Sequence, residues 1–451
     1  MFANACNVVE LGRDKTISEI ISRLERGGEV KVEGTWGSFA PLLAVHISKK
    51  LDRPVLYICP HIDDADRVAE DLRTFGGENI ETLGAWEGGE DLADATDEIR
   101  AERMRVVMKV LSGGERFIIA AAVQALCQPI PKPEVLKAGS LELAVEGKLS
   151  PQEIVSWLVE NGFERVDKVD LPGQFAHRGG IVDIYMPFVS EKIALEEKGE
   201  PPSEGGEAVR IEFFGDTIES IREINLDTQR SAGQIKSIRV VSTVCGMGTE
   251  QRELFINILP AETIIIFEEP GDIEEVARVF LERVEDAGRL YGWEEIYRAA
   301  GTFARLFICR FAGSMPGDFL KAGVKSIQQF QHTATAAWAG HKEALEQVVQ
   351  QAREGKEVYL YCESPGEVKR IAEIAAQSDK PLPEKFRMPL GFVGQGFAID
   401  SLDVIVISHH ELFGQFALRR RQRAIRPTAP VDSLEDLQAG DYVVHTSYGI
   451  G

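Results

Sequence analysis

Residues 15 to 125 alternate between helical and extended patterns of hydrophobic positions. The run TISEIISRLERGG places Ile17, Ile20, Ile21 and Leu24 on one face of a helix, which ends at a pair of glycines. The short apolar runs EVKVEG, RPVLYICP and RFIIAAA are typical of buried strands, and helical patterns separate them. This strand–helix–strand repetition predicts a parallel, doubly wound α/β sheet.

The hydrophobic pattern changes after Pro133. The run SPQEIVSWLVENGF predicts a helix in which Ser150 is the N-cap and Glu153 completes a capping box. Extended runs follow, beginning with RVDKVD and GQFAHRGGIVDIYMP, and an acidic loop rich in Gly and Pro interrupts them at 189–207. We therefore predict a compact α+β domain inserted into the chain.

Strand–helix alternation resumes near Ile235 and continues to a proline-containing linker at 426–433. In the last α/β unit the run DVIVIS predicts a strand, and we place the following His409–His410 in a loop rather than in a metal site. After the linker, LEDLQAGDYVVHTSYGIG begins a strand-rich unit that stops in the middle of its pattern. We therefore expect that the chain is a truncated part of a longer protein.

Composition limits the kind of protein this can be. The 451 residues carry a formal net charge of −22, which argues against broad, sequence-independent DNA binding because such binding needs a basic surface. The six cysteines include no C-x-x-C pair, which favours reduced core thiols in a cytosolic protein. No apolar run reaches the length of about 18 residues that a membrane-spanning helix needs. The composition predicts a cytoplasmic protein without a membrane segment.

The segment VEGTWGSFAPLLAVHISKK has the outline of a phosphate-binding loop followed by its helix. An apolar strand leads into Gly34, Gly37 follows, and Ser38 opens an amphipathic run that it could cap. A P-loop has the pattern G-x-x-x-x-G-K-[ST], in which the lysine reaches the β- and γ-phosphates. No lysine or arginine occurs here before Lys49. The segment alone is compatible with a nucleotide site, the remains of one, or a turn that only connects a strand to a helix.

Two of the extended runs combine arginine with phenylalanine. Arg178 precedes a glycine pair in the first hairpin, and Arg210 opens the run that ends at Phe214. Residues 210, 212 and 214 share one face of a strand because side chains alternate between faces. Each arginine could be an ordinary exposed strand residue, but arginine beside an aromatic side chain is also the composition of a protein-interface hot spot.

The motifs LPGQFAHRGGIVDIY and VRIEFFGDTIESIREINLDTQRS, in this order, resemble the domain shared by the excision-repair protein UvrB and the bacterial transcription-repair coupling factors. The final run GDYVVHTSYGIG resembles the first strands of the RNA-polymerase-interacting module, which coupling factors have and UvrB lacks. The resemblance covers essentially the whole chain. The sequence is similar to the N-terminal part of the coupling factors.

Two departures separate this chain from UvrB. The P-loop lysine is missing, and the helical run that follows Trp86 leaves almost no room for the aromatic hairpin with which UvrB clamps DNA. Both departures agree with the coupling factors. The resemblance therefore implies that Gly34, Gly37 and Ser38 form a degenerate P-loop.

The resemblance also implies how the α/β chain is divided. The expected segments are 1–127, the first part of a degenerate P-loop NTPase-like domain; 128–230, an inserted α+β domain that docks on UvrA; 231–335, the return of the first domain; 336–426, a separate α/β domain; and 427–451, a linker and the truncated start of the polymerase-interacting module. The positions that match the family's UvrA-binding residues are Arg178, Arg210 and Phe214.

The function implied by the resemblance is that of an adaptor. It would recruit UvrA to lesions where RNA polymerase has stalled, in nucleotide excision repair, and contact polymerase through the module that begins near residue 434. This segment would have no catalytic residue, metal or cofactor. ATP and Mg²⁺ are expected in a downstream motor, a DNA translocase through which the full protein would bind DNA. The alternatives are a UvrB-like ATP-dependent helicase domain active in its own right and a purely structural scaffold.

Overall fold

The computed structural model divides the chain into two units, Met1–Phe416 and Ala417–Gly451. The structure describes residues 9–86, 98–114, 116–186, 192–194, 208–226, 228–242, 251–284, 287–312, 316–327, 338–376, 381–413, 444–445 and 449–450. Most of the predicted acidic loop and most of the second unit lie outside these ranges. Among the described residues, no helix combines the length and the apolar character needed to cross a bilayer.

The first part of the chain alternates helices and strands as its hydrophobic pattern predicts. In chain order its elements are α1 (Lys15–Glu25), β1 (Glu29–Glu33), α2 (Phe39–Leu51), β2 (Val55–Cys59), α3 (Ile62–Thr74), β3 (Ile80–Leu83), α4 (Glu98–Ser112), β4 (Ile118–Ala122), α5 (Val123–Cys127), β5 (Ile130–Pro131) and α6 (Pro133–Ala138).

The middle of the chain consists mainly of strands around a single longer helix. Its elements are β6 (Ser140–Ala144), α7 (Pro151–Glu160), β7 (Glu164–Arg165), β8 (Gln174–Arg178), β9 (Ile181–Tyr185), β10 (Lys192–Ala194), β11 (Ala208–Phe214), β12 (Thr217–Asn225) and β13 (Arg230–Val241).

After β13 the chain returns to alternating strands and helices. The elements are β14 (Arg252–Glu253), β15 (Ile264–Glu268), α8 (Pro270–Arg283), α9 (Trp293–Ala300), β16 (Ala304–Cys309), β17 (Leu320–Lys321), β18 (Val324–Ser326), α10 (Trp338–Arg353), β19 (Glu357–Tyr361), α11 (Pro365–Ala376), β20 (Phe386–Arg387), β21 (Phe397–Ile399), β22 (Val404–Ser408) and α12 (His409–Phe413). Short 3₁₀ helices span Leu11–Arg13, Phe255–Ile258, Ala287–Arg289 and Asp400–Leu402.

The first sheet has seven strands in the order β17-β1-β16-β15-β2-β4-β3, and their pairings are all parallel. Strands from before and after the inserted domain are therefore neighbours in one sheet. Helices α1, α2 and α3 contribute to the core on one face, and α4, α5, α8 and α9 contribute to the core on the other. The predicted parallel, doubly wound sheet is present.

The inserted domain is an eight-stranded sheet in which β7 and β8 pair in parallel and the other pairings are antiparallel. Helix α7 packs on one face, and its predicted capping box between Ser150 and Glu153 is formed. The sheet includes β13, so the predicted boundary between residues 230 and 231 is wrong because it falls inside the pairing that closes the sheet.

Two shorter predictions in this domain also need correction. Of the run RVDKVD only Arg165 lies in a strand, at the end of β7, because the backbone N–H groups of Asp170 and Leu171 donate to the side-chain oxygen of Gln174 and turn the chain. Within the predicted acidic loop, Lys192–Ala194 is a strand, because it pairs with β13.

A third sheet has five strands in the order β18-β21-β22-β19-β20. It includes β18, which starts at Val324, so the predicted start of this unit at residue 336 is too late. Its residues Tyr361, Phe397 and Val406 lie in the same core cluster as α2 and α3 of the first sheet. The prediction of a separate domain is therefore wrong in that the two sheets share a core.

The second unit, Ala417–Gly451, is described only at β23 (Val444–His445) and β24 (Gly449–Ile450), which pair antiparallel. The predicted linker at 426–433 lies outside the described residues. The short pair agrees with the strand content expected from GDYVVHTSYGIG.

Candidate functional site

Neighbouring strands of the inserted domain carry the predicted docking residues. In the antiparallel register Arg178 pairs with Ile181, and Ile181 pairs with Glu212. Directly paired residues point to the same face of a sheet, and so do residues two apart along one strand. Arg178, Arg210 and Phe214 therefore lie on one face, and we call these three residues the docking patch.

The other face of β11 is buried. Val209, Ile211 and Phe213 alternate with the residues of the docking face and pack in a core cluster with Ile154 of α7. A register shift follows Glu212 in the pairing with β12, but the alternation of buried and exposed side chains continues past it. The shared face inferred from the period of two is thus opposite the core beneath α7. Near Ala208 this face carries a smaller buried cluster, and it is exposed at its end, where Arg178 and Phe214 lie.

Phe214 lies at the end of β11 and is 82% exposed. Single exposed apolar residues are common on protein surfaces, but here a large aromatic ring stands beside two arginines on one face. Aromatic and arginine side chains together are enriched in the residues that contribute most to protein–protein binding. The exposed ring is what gives the docking patch an apolar anchor.

Arg178 is exposed at the end of β8, next to the Gly179–Gly180 turn. Its guanidinium donates a hydrogen bond to the backbone carbonyl of Asp167. A guanidinium has five N–H donors, so most of them are left for a partner. Of the two arginines, Arg178 is therefore the one that could exchange its hydrogen bond for one to a partner with the smaller loss of stability.

Arg210 is held more firmly. It lies directly opposite Asp183 of β9, and its Nε and Nη2 donate to the two carboxylate oxygens at 2.7 Å and 2.8 Å. These hydrogen bonds raise the pKa of Arg210 above its usual value. The side chains of Arg210 and Asp183 are 21% and 9% exposed, respectively. The guanidinium of Arg210 is thus already paired with Asp183, and a partner could reach only its remaining N–H groups.

Glu212 separates Arg210 from Phe214 along β11. Its carboxylate accepts a hydrogen bond from the hydroxyl of Ser220 at 2.6 Å and lies 3.6 Å from the guanidinium of Arg222. The acidic side chains of this face are therefore bound to groups of the same face. The exposed N–H donors of Arg178 and the ring of Phe214 remain available for contact.

The second candidate is the loop that follows β1, residues 34–38, which we call the glycine turn. Gly34 and Gly37 have φ of +74° and +57°, a conformation that favours glycine. Ser38 precedes α2 in the N-cap position, but its side chain does not cap the helix. The predicted cap is wrong because the Ser38 hydroxyl accepts from the Gln395 N–H at 3.0 Å instead, while it donates to Asp71 at 2.7 Å.

The glycine turn contacts residues 392–396, which we call the glycine-rich segment. The Ser38 N–H donates to the carbonyl of Gln395 at 2.8 Å, and the Gln395 N–H donates to the Ser38 hydroxyl at 3.0 Å. The N–H of Gly394 donates to Asp71 at 2.8 Å. The backbone N–H at the start of α2, where a P-loop would receive phosphate, is thus bonded within the chain.

Two carboxyl groups lie behind this contact: that of Asp71, which is 2% exposed, and that of Glu268, which is partly buried. Burial raises the pKa of Asp71 to about 7 although Ser38 and Gly394 donate to it, and burial also raises the pKa of Glu268, at the end of β15, to about 7. Burial lowers the pKa of Arg67, but the nearby charges of Asp64, foremost, and of Glu268 and Asp71 outweigh it and raise the pKa above its usual value. The region beneath the glycine turn therefore presents acidic groups rather than a lysine.

The described residues contain no group of three or more His, Cys, Asp or Glu side chains placed to hold a metal ion. His409 and His410, predicted to lie in a loop, begin the short helix α12 instead. They follow β22 directly, and Nε2 of His410 lies 3.3 Å from the carbonyl oxygen of Gly394. Four of the cysteines, Cys59, Cys127, Cys309 and Cys362, are free and buried.

Sequence reasoning missed the partners of the predicted residues. Asp183 lies within an apolar strand pattern, and nothing local indicates that it faces Arg210; the pairing of β9 with β11 brings them together. Asp71 lies in an acidic helix, whose composition predicts a solvated residue. A signal was present for the glycine-rich segment, since GFVGQGF carries three glycines in seven residues, but the sequence does not say what approaches them.

Comparison with known proteins agrees with these features. Residues 141–244 match the family model described as the UvrB interaction domain. The chain is 24% identical to the transcription-repair-coupling factor of Bacillus subtilis (strain 168) over 96% of its own length and 42% of the relative. It is 20% identical to the transcription-repair-coupling factor of Staphylococcus aureus (strain MRSA252) over 89% of its own length and 40% of the relative.

The chain spans about two fifths of the length of these curated relatives. The family match covers β6 to β13, so it also includes the strand that the predicted boundary had cut off. The chain is thus similar to transcription-repair-coupling factors over most of its own length, and its residues 141–244 match the UvrB interaction domain.

Proposed function

We propose that this chain is an adaptor that binds UvrA through the docking patch of its inserted domain and so brings the excision-repair machinery to a stalled RNA polymerase. The observation that carries the proposal is the register of β8, β9 and β11, by which Arg178, Arg210 and Phe214 lie on one face whose end is exposed. The similarity to transcription-repair-coupling factors supports the same role.

The chemistry of the patch favours an acidic partner surface with a small apolar pocket. Arginine donors recognise carboxylates with defined geometry, and Phe214 would fill the pocket. In a chain of net charge −22, an exposed arginine beside an exposed aromatic ring is a local exception to the overall repulsion of acidic proteins. UvrA would approach this face because the rest of the surface is on average acidic.

The test is a binding titration with purified UvrA. Arg178→Ala and Phe214→Ala should each weaken the complex by roughly thirtyfold, the effect of a loss of about 2 kcal/mol at a hot spot. Both side chains are exposed, so thermal unfolding should be unchanged. Unaltered affinity for UvrA in both variants would refute the assignment of the patch.

Matched controls exist in the same chain. Arg165 is exposed on β7 of the same sheet, but it pairs with Phe175, whose side chain lies in the core on the face opposite the docking patch. Phe311 is 70% exposed and lies after β16 of the first sheet. Arg165→Ala and Phe311→Ala should leave the affinity for UvrA within about twofold, a difference of less than about 0.5 kcal/mol.

We propose further that the full-length protein contacts RNA polymerase through a module beginning near residue 434. Displacement of polymerase would need a DNA translocase elsewhere in that protein, and ATP and Mg²⁺ would serve that motor. Co-precipitation of polymerase by the full-length protein, lost when the module is deleted and retained when the docking patch is mutated, would separate the two contacts.

We also infer that the glycine turn is a degenerate P-loop. Support comes from its position after the first strand of a parallel sheet, its positive φ values and its missing lysine. A UvrB-like helicase would need this turn for ATP. The bonds from Ser38 to Gln395 and Asp71 argue against that alternative.

A further inference from the structure

The glycine-rich segment is held mainly by side chains. The backbone N–H groups of Phe392, Gly394 and Gln395 donate to side-chain oxygens at 3.1 Å, 2.8 Å and 3.0 Å. The acceptors, in the same order, are Thr74, Asp71 and Ser38, which lie on or directly before helices of the first sheet. Such a set resembles the way a protein binds a ligand more than the way a loop closes on itself.

The opposite side of the glycine-rich segment is held by α12. The Gly396 N–H donates to the carboxylate of Glu411 at 2.8 Å, and His410 stacks on Phe392 with ring centroids 5.8 Å apart. Val393, which follows Phe392 in the chain, is fully buried in the core shared by the two sheets. The glycine-rich segment is thus enclosed by the first sheet's helices on one side and by the third sheet's last helix on the other.

Gly37 shows how closely the glycine turn and the glycine-rich segment approach. A Cβ atom added at Gly37 would lie 2.5 Å from the carbonyl oxygen of Gly396 and 2.6 Å from that of Gln395. Backbone atoms cannot move aside as the end of a flexible side chain can. A Cβ atom added at Gly34 would meet nothing within 4 Å. Gly37 is therefore required by the contact and Gly34 is not.

We propose that the glycine turn is a binding site for the chain's own glycine-rich segment, an internal ligand that fills the turn and fastens the third sheet to the first. The Ser38 N–H and hydroxyl and the absent Cβ of Gly37, features that would suit a phosphate, here serve a peptide backbone. The contact holds the first and third sheets together, and the inserted domain is connected to the first of them. This inference does not depend on binding of UvrA.

The first experiment compares two glycine substitutions in the full 451-residue chain. Gly37→Ala and Gly34→Ala introduce the same methyl group at similar positive φ, so both carry the backbone strain of an L-residue in that conformation. Only Gly37→Ala collides with the glycine-rich segment. Amide hydrogen exchange of peptides covering residues 392–397 should quicken by about tenfold or more in Gly37→Ala and stay within about twofold of the parent in Gly34→Ala.

A second pair of variants tests the proposal if Gly37→Ala does not fold. Ser38→Ala removes the hydroxyl that accepts from Gln395 and donates to Asp71. Ser48→Ala removes the hydroxyl of another buried serine, on the helix that Ser38 precedes, which donates to the carbonyl of Arg53. Exchange at residues 392–397 should quicken by about tenfold in Ser38→Ala and not in Ser48→Ala. Equal exchange in the members of each pair would overturn the proposal.

Discussion

The salt bridge between Arg210 and Asp183 makes the most exacting prediction about the inserted domain. Substitution Arg210→Ala removes both hydrogen bonds from a carboxylate that is only 9% exposed. Hydrogen bonds to charged groups contribute about 1.5–3 kcal/mol, and removing one member of a largely buried ion pair costs more because the other charge is left unpaired. We expect Arg210→Ala to lower the free energy of unfolding by about 2–4 kcal/mol.

The partner substitution should cost less. Asp183→Ala leaves Arg210, whose side chain is 21% exposed and can reach water. A loss of about 1–2 kcal/mol is expected, and the double variant should resemble Arg210→Ala or be more stable than it. The double-mutant cycle should therefore give a coupling energy of about 1 kcal/mol or more.

Urea-induced unfolding followed by circular dichroism measures all four proteins of the cycle. Arg222→Ala is the control, because Arg222 lies on the same face but is 38% exposed and lies 3.6 Å from Glu212, a looser contact. It should cost less than about 1 kcal/mol. A coupling energy between Arg210 and Asp183 below about 0.5 kcal/mol would refute the reasoning.

This result bears on how the docking patch is tested. Loss of UvrA binding in Arg210→Ala could arise from weakened folding as well as from a lost contact. Arg178 does not have this ambiguity, because it is exposed and its hydrogen bond goes to a backbone carbonyl. The sequence alone assigned the two arginines equal roles; their surroundings make Arg178 the cleaner probe.

Three other outcomes are expected. Calorimetry with ATP and Mg²⁺ should show no low-micromolar binding to the parent chain or to Ser38→Lys, because the turn is engaged by the glycine-rich segment. The pKa of Asp71 is raised to about 7, so between about pH 4 and pH 7 its carboxyl keeps a proton in the folded state that it loses on unfolding, and stability falls as pH rises. The slope of unfolding free energy against pH in this window should be less negative in Asp71→Asn than in the parent, by up to about 1.4 kcal/mol per pH unit. Arg103→Leu should cost about 3 kcal/mol or more in urea unfolding, because the buried guanidinium donates to the carbonyls of Gly84, Ala125 and Gln128, which would be left unpaired.

Much of the fold follows from local patterns in the sequence. The buried strands of the first sheet are continuous apolar runs because both faces are covered by helices, and RPVLYICP and RFIIAAA show this directly. The capping box at Ser150 needs only two residues within one helical turn. The docking face also follows from local periodicity, because side chains alternate along β11 and the Gly179–Gly180 turn separates β8 from β9.

What could not be predicted depends on long-range register. The end of the inserted domain was misplaced because β13 has a regular strand pattern that would suit either neighbouring sheet; only its pairing with β12 and β6 assigns it. The contact between Gln395 and Ser38 joins residues 357 positions apart. Period and propensity describe one segment at a time, so neither can say which segment fills a turn on another.

The missing lysine alone does not explain why the glycine turn should fail to take a nucleotide. A lysine placed at residue 38 would lie beside the Asp71 carboxyl, which now accepts from the Ser38 hydroxyl at 2.7 Å, and an ammonium group there would pair with it rather than with an external phosphate. The phosphate would also have to displace the carbonyl of Gln395 from the Ser38 N–H and approach the carboxyl groups of Asp71 and Glu268. Phosphate binding therefore requires both a new positive charge and removal of the glycine-rich segment. Because that segment is also part of the core that joins two sheets, the second requirement conflicts with the stability of the fold.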